Sequence, residues 1–279
     1  MKPRLAISLG SSFLGFATHA GFLARLHALG VRPTVVGGSS AGAIAAGLYA
    51  SGLPQDIIRK TVLAHGFRRS FIRRTPWLTH YIRSSFFESN VGAFKTDGAI
   101  AYLEKVMGKK QIEDLTAPRF MAAVSNLESC RTHFLTAGPL AQIMVASCCI
   151  PTVFAPIPHG GMHCFDGGVA HEAPIDPWLE DPEVDVILMH RVTHTESAPP
   201  RLFPLNLFHL ASKAHECASE QLHDYRLRLA ELHGKKVLVT RTVHSRPVAF
   251  SGREMPNYYA AGEAQAQNLY DTQLKAMLT

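Results

Sequence analysis

The apolar positions of the chain alternate between two periods. Leu5-Ala6-Ile7-Ser8-Leu9 is a short apolar run that stops at Gly10, as a buried strand does where the backbone must turn. From Phe16 onward, Phe22, Leu23, Leu26 and Leu29 recur at helical spacing, and Gly30 follows as a stop signal. Thr34-Val35-Val36 is β-branched and ends in Gly37-Gly38, after which residues 41–50 are small and helix-favouring and close at Ser51-Gly52. The pattern predicts strand, loop, helix, strand, turn, helix, which is how a parallel sheet begins. Further strands are expected at 119–126, 184–190 and 236–243, with helices at 97–106, at 208–232 and from Asn257 onward. No repeat period interrupts this alternation, and the Pro-rich residues 197–204 read as a surface loop. The expectation is an α/β protein of one domain over residues 1–279.

Composition narrows the class. Hydrophobic residues are 47% of the 279 and charged residues 18%, which supplies a core and excludes disorder as the main state. The net charge of +6 is a modest basic excess: too little for a nucleic-acid binder, enough to leave acidic lipid headgroups as partners. The five cysteines, Cys130, Cys148, Cys149, Cys164 and Cys217, are odd in number and irregularly spaced, so they read as reduced thiols in a cytosolic compartment. No apolar run approaches the roughly 18–20 residues of a spanning helix. Met1-Lys2-Pro3-Arg4 and the Ala17-Thr18-His19-Ala20 that follows imitate a secretory signal, yet cleavage there would cut the strand-loop-helix-strand unit of residues 5–42.

Gly38-Ser39-Ser40-Ala41-Gly42 is a G-x-S-x-G between a β-branched strand and a small-residue helix, the setting a nucleophile elbow requires. Gly38 and Gly42 leave room for the tight turn, and Ser40 projects its hydroxyl at a helix N-terminus, where developing negative charge is favoured. The competing reading is a plain helix cap. A serine nucleophile needs backbone N–H groups aimed at the carbonyl oxygen, and the loop from Gly10 through Ser11 and Ser12 to Gly15 leaves the first strand at the same sheet edge. This loop is not G-x-G-x-x-G and no acidic residue follows the next strand, which argues against a dinucleotide site. Asp166-Gly167-Gly168, entered from the short strand Cys164-Phe165, supplies a candidate base; alone it would read as an Asp-Gly turn.

Together these pieces resemble the patatin-like phospholipases: a Gly-rich loop, then G-x-S-x-G within Val35–Ile44, then the Pro-containing run 146–156 leading to D-G-G. His19 and Gly21 look like the family's H-x-G. The resemblance covers residues 5–52 and 117–175. It implies a three-layer fold with a mainly parallel central sheet flanked by helices, and a Ser40–Asp166 dyad acting on lipid esters such as phospholipids without a cofactor or metal. Backbone donors at Gly10, Ser11 and Ser12 would form the oxyanion hole, with Gly38 and Gly42 in the elbow and Gly167 and Gly168 in the D-G-G turn. The chain departs from the family pattern at four places: Ser11 and Ser12 replace glycines, Leu14 replaces a basic residue, the gap from Gly15 to Gly21 is one residue longer than usual, and His171-Glu172 stands where asparagine usually precedes Pro174.

Other readings remain in view. The order Ser40, Asp166, then His190 or His194 also fits the Ser-Asp-His order of an α/β-hydrolase triad, although only one strand precedes the Ser40 strand; both histidines otherwise read as strand-end and loop residues. His159, His163 and Cys164 are zinc-ligand types, but Gly160-Gly161 between the histidines reads as a hairpin tip. The altered loop leaves a catalytically weak lipid-binding protein as the alternative from a different class, and an acyltransferase as the alternative within the enzymes. Residues 57–87 interleave Arg59, Lys60, Arg68, Arg69, Arg73, Arg74 and Arg83 with Phe67, Phe71, Trp77, Tyr81, Phe86 and Phe87, which suits either peripheral docking on an anionic membrane or a structural insertion. Single-stranded nucleic acid is disfavoured for want of a recognisable module.

Overall fold

The computed structural model describes residues 3–72, 92–195, 206–245 and 251–278. Strand β1 (Leu5–Leu9) is followed by α1 (Phe16–Ala28), β2 (Val35–Gly38), α2 (Ala41–Ala50), α3 (Gln55–Leu63) and α4 (His65–Ser70). Next come β3 (Gly92–Phe94), α5 (Asp97–Met107), β4 (Arg119–Asn126), β5 (Arg131–Leu135), α6 (Leu140–Ala146), β6 (Thr152–Phe154), β7 (Ile157–His159) and β8 (Met162–Asp166). The chain continues through α7 (Asp176–Leu179), β9 (Val186–Thr195), α8 (Asn206–Leu232), β10 (Lys236–Ser245), α9 (Met255–Leu269) and α10 (Lys275–Leu278).

The main sheet runs β10-β9-β1-β2-β4-β8-β7, with β5 also on β4. The β10, β9, β1, β2 and β4 strands pair in parallel, while β5, β8 and β7 add antiparallel pairs at the far edge. Burial on both faces explains the near-continuous apolar strands. Leu5, Ile7 and Leu9 of β1 join Val36, Phe120, Val124 and Leu188 in one core with α1, α2, α3, α5, α6 and α9. Ala6, Val35, Met121, Ile187 and Met189 point the other way, onto Trp178, Leu179 and Ala230 of α7 and α8. Every residue of α2 is buried, as its small side chains on all faces require.

Helices α1 and α9 cross at backbone contact. A Cβ on Gly21 would stand 2.1 Å from the Tyr259 carbonyl oxygen, and one on Gly262 2.0 Å from that of Thr18. The start of the basic stretch belongs to this body: Ile58 and Val62 of α3 and Phe67 of α4 are core residues, and Arg68 is buried beside them. Arg73, Arg74, Trp77, Tyr81, Arg83, Phe86 and Phe87 lie outside the described residues. Gly160 and Gly161 form the two-residue tip of the β7–β8 hairpin, both with positive φ, as the G-G dipeptide predicts. His190 and His194 fall inside β9 rather than at its end, because the β9–β10 ladder runs on to Thr195 opposite Ser245, past the point where β1 stops.

Candidate active site

Three loops meet beyond the β1, β2 and β8 ends. The first turn is very tight: a Cβ on Gly42 would lie 2.1 Å from the Leu9 carbonyl oxygen, and one on Gly38 2.5 Å from the Gly42 carbonyl carbon. Only glycine allows that approach. Ser40 between them sits at φ 52°, ψ −122°, a conformation an L-residue holds only when its surroundings impose it. They do so through Ser147, whose hydroxyl accepts the Ser40 N–H at 2.8 Å and donates to the Ala123 carbonyl at 2.7 Å. The Ser39 hydroxyl adds a hydrogen bond to the His171 carbonyl.

Asp166 ends β8 and is 5% exposed, close to the 7% of Ser40. Its N–H donates to the Cys149 carbonyl at 3.0 Å, its carbonyl accepts from the Ser125 hydroxyl at 3.0 Å, and its carboxylate accepts the Gly168 N–H at 2.7 Å. Burial pushes the carboxyl up to about 6, against the opposing influence of the nearby Ser40 hydroxyl and the Gly168 N–H. A Cβ on Gly167 would lie 2.1 Å from the Ala123 carbonyl oxygen, and one on Gly168 2.5 Å from Cβ of Ser11. The D-G-G turn therefore packs directly on the loop after β1. Burial holds the nearby Cys148 thiol far above its ordinary range, so it stays protonated.

Two of the three expected oxyanion donors are committed elsewhere. The Gly10 N–H donates to the His190 carbonyl at 2.9 Å, and the Ser11 N–H to the Glu172 carbonyl at 2.7 Å. Serine at position 11 thus hydrogen-bonds across to the segment after D-G-G. Among the described residues the N–H groups of Ser12, Phe13 and Ala41 have no internal acceptor, which leaves them available at the mouth of the site.

The histidines are placed otherwise than a triad needs. His19 Nε2 lies 2.9 Å from the Gly10 carbonyl, its Nδ1 3.0 Å from His190 Nδ1, and His190 Nε2 2.9 Å from the Thr242 hydroxyl. A carbonyl only accepts, so His19 donates from Nε2 and accepts at Nδ1; His190 then donates from Nδ1, and its Nε2 accepts the Thr242 proton. Burial pushes His19 down to about 3 and His190 well below its usual range, so both rings are neutral. His190 also stacks on Phe22 with centroids 3.9 Å apart, leaving no ring nitrogen to serve Ser40. His194 packs against His244, 4.9 Å between centroids. His163 Nδ1 pairs with Glu128 at 2.5 Å, and among the described residues no three His, Cys, Asp or Glu side chains converge as metal ligands. All five cysteines are free thiols.

Sequence reasoning gave no role to Ser147, Cys148 or Glu172. Ser147 leaves one detectable signal, a polar residue within the otherwise apolar run 143–150.

A doubly covered, mainly parallel sheet with a strained serine elbow beside a D-G-G aspartate defines a patatin-like architecture. The sequence profile of the Patatin-like phospholipase family matches residues 7–179, and the chain belongs to that family. NTE family proteins of Mycobacterium bovis and Mycobacterium tuberculosis are 27% identical to it over 200 residues, 72% of this chain and 52% of theirs. The chain thus spans about half the length of these curated relatives. A patatin-like phospholipase domain-containing protein of Caenorhabditis elegans is 28% identical over 177 residues, 62% of this chain and 12% of that protein. Among solved structures, VipD from Legionella pneumophila superposes with a TM-score of 0.56 at 15% identity, over 97% of this chain and 67% of that one, a likeness of fold.

Proposed function

We propose that this chain hydrolyses carboxylic esters of lipids through an acyl-enzyme on Ser40, with Asp166 as the base. The observation that carries the reading is the pairing of a serine held at φ 52° with a neighbouring buried carboxylate poised near pH 6. Asp166 takes the proton as Ser40 Oγ attacks the ester carbonyl, and returns it to the leaving alcohol. Water, activated by the same carboxylate, then releases the fatty acid. The Ser12 and Phe13 N–H groups, with the positive end of α2 at Ala41, stabilise the oxyanion. The dyad is favoured over a Ser-Asp-His triad because the His190 nitrogens are both committed within the core.

A fluorophosphonate probe tests the reading. It should label Ser40 in the parent and fail to label Ser40→Ala, and hydrolysis of short nitrophenyl esters should disappear with the label. A folded parent that neither labels nor turns over would instead support the non-catalytic lipid-binding reading. Product analysis with added alcohol separates hydrolysis from acyl transfer. Exposed Arg59, Lys60 and Arg69 supply the anionic-membrane contact in this proposal, whereas Arg68, buried and bonded to the Leu63 carbonyl at 3.0 Å, does not.

A further inference from the structure

His190 and Arg191 are consecutive on β9 and lie on opposite faces of the sheet beside Gly10, where β1 has ended and β9 continues. His190 holds Gly10 from one face, its carbonyl accepting the Gly10 N–H and its ring, through His19, securing the Gly10 carbonyl. Arg191 acts on the other. Buried, it donates from Nε to Glu172 Oε1 at 3.0 Å and brings Nη2 to 2.5 Å from Glu172 Oε2, so one hydrogen bond and a close charge contact join the two side chains. The Glu172 carbonyl accepts the Ser11 N–H, and its Oε1 lies 3.2 Å from where a Cβ on Gly10 would stand. Arg191 Nη1 also donates to Glu220 of α8 at 3.1 Å, which ties the arrangement to the outer helix layer.

We propose that Glu172 and Arg191 are positioning residues: their ion pair holds the 10–11 peptide so that the Ser12 N–H faces the carbonyl oxygen of an ester on Ser40. The inference rests on the reading of Ser40 as nucleophile. A donor helps only if it is already in place when the oxyanion forms, and a displacement of about 1 Å can lose roughly a hundredfold in rate. With serine at 11 and 12 and leucine at 14, the loop lacks the family's glycines and basic residue, and the hydrogen bonds that fix it come from β9 and from the segment after D-G-G.

The test compares Glu172→Gln and Arg191→Lys with the parent in three measurements. These are kcat and KM on a soluble nitrophenyl ester, inhibition by an alkyl trifluoromethyl ketone whose adduct on Ser40 carries an oxyanion, and amide hydrogen exchange across residues 10–15. Each variant should lose about ten- to a hundredfold in kcat with KM within about twofold, and the same factor in ketone affinity. Exchange at Gly10 and Ser11 should accelerate while β1 and α2 keep the parent's protection. Variants that retain parental kcat and ketone affinity, or that lose activity only in proportion to their folded fraction with loop exchange unchanged, would overturn the proposal. If Glu172→Gln does not fold, Arg191→Lys, which keeps the charge but not the planar fork, carries the test. Should the parent itself lack esterase activity, the Ser40 reading fails on its own, and loop exchange in the two variants still decides the clamp.

Discussion

Replacing Asp166 by asparagine should stabilise the protein while abolishing its chemistry. The carboxyl is buried and pushed from an ordinary 3.8 up to about 6, so the folded chain binds this proton more tightly than the unfolded chain does. Between those two values the folded state holds more protons, and stability therefore falls as pH rises through that window and stays reduced above it. At 1.36 kcal/mol per factor of ten in proton affinity, the reduction is about 3 kcal/mol. Asparagine has no charge to desolvate and keeps an oxygen for the Gly168 N–H. The stability difference between variant and parent should therefore widen by about 2.5 kcal/mol in the variant's favour from pH 4 to pH 8, or roughly 5–10 °C in Tm. Loss of the base should lower kcat/KM by about 10²- to 10⁴-fold, and the parent's kcat/KM should fall on the acid side with an apparent pKa near 6. The assay is differential scanning calorimetry of both proteins across that pH range, with ester kinetics on the same samples. Other groups titrate alike in both and cancel. Melting curves that stay parallel at every pH would refute the claim that burial perturbs this carboxylate, and undiminished turnover would remove it as the base.

Ser40→Gly should raise stability by about 1 kcal/mol, because glycine holds φ 52° without the strain, and should abolish fluorophosphonate labelling; a lowered Tm would refute strain at the elbow. Gly262→Ala places a Cβ 2.0 Å from the Thr18 carbonyl oxygen and should destabilise by at least about 1–3 kcal/mol in urea melts with the active site otherwise intact. His190→Ala should also destabilise, by about 3 kcal/mol or more, since it empties the stack on Phe22 and leaves His19 Nδ1 unpaired. Sedimentation with anionic vesicles at low salt should weaken about fivefold for Arg69→Gln, at about 1 kcal/mol per surface arginine, and should not change for Arg68→Gln.

The parallel core was legible because its signal is local. Leu5–Leu9, Val35–Gly38 and Arg119–Asn126 are apolar runs bounded by turn residues, and α1, α2, α5 and α9 carry either helical spacing or small-residue runs. The antiparallel margin was harder to read. Strands β5, β6 and β7 are short and half-buried, so no clean alternation marks them; β7 is betrayed only by Gly160-Gly161 at its hairpin tip. Helices α3 and α4 sit in a stretch whose many arginines mask the buried Ile58, Val62 and Phe67, and the residue taken for a surface charge at Arg68 turns inward.

The candidate site divides along the same line. Ser40, Gly38, Gly42, Asp166 and Gly167 are dictated by backbone that passes within contact of backbone, and such constraints leave fixed spacings in the sequence. What orients them is tertiary and leaves almost none: Ser147 reaches Ser40 from 107 positions away, and Arg191 of β9 reaches the loop residue Glu172 from 19 positions away. The distinction also bears on the loop after β1. Counting its residues assigns every N–H the same role, but the Gly10 and Ser11 N–H groups hydrogen-bond to β9 and to the segment after D-G-G. A glycine-rich loop can adopt its active shape from permissive φ alone, whereas a loop with serine at 11 and 12 needs partners, and here those partners are residues on which the nucleophile motif itself is silent. The 10–11 peptide is therefore fixed from outside the loop, by the His190 and Glu172 carbonyls, and neither residue belongs to the nucleophile motif.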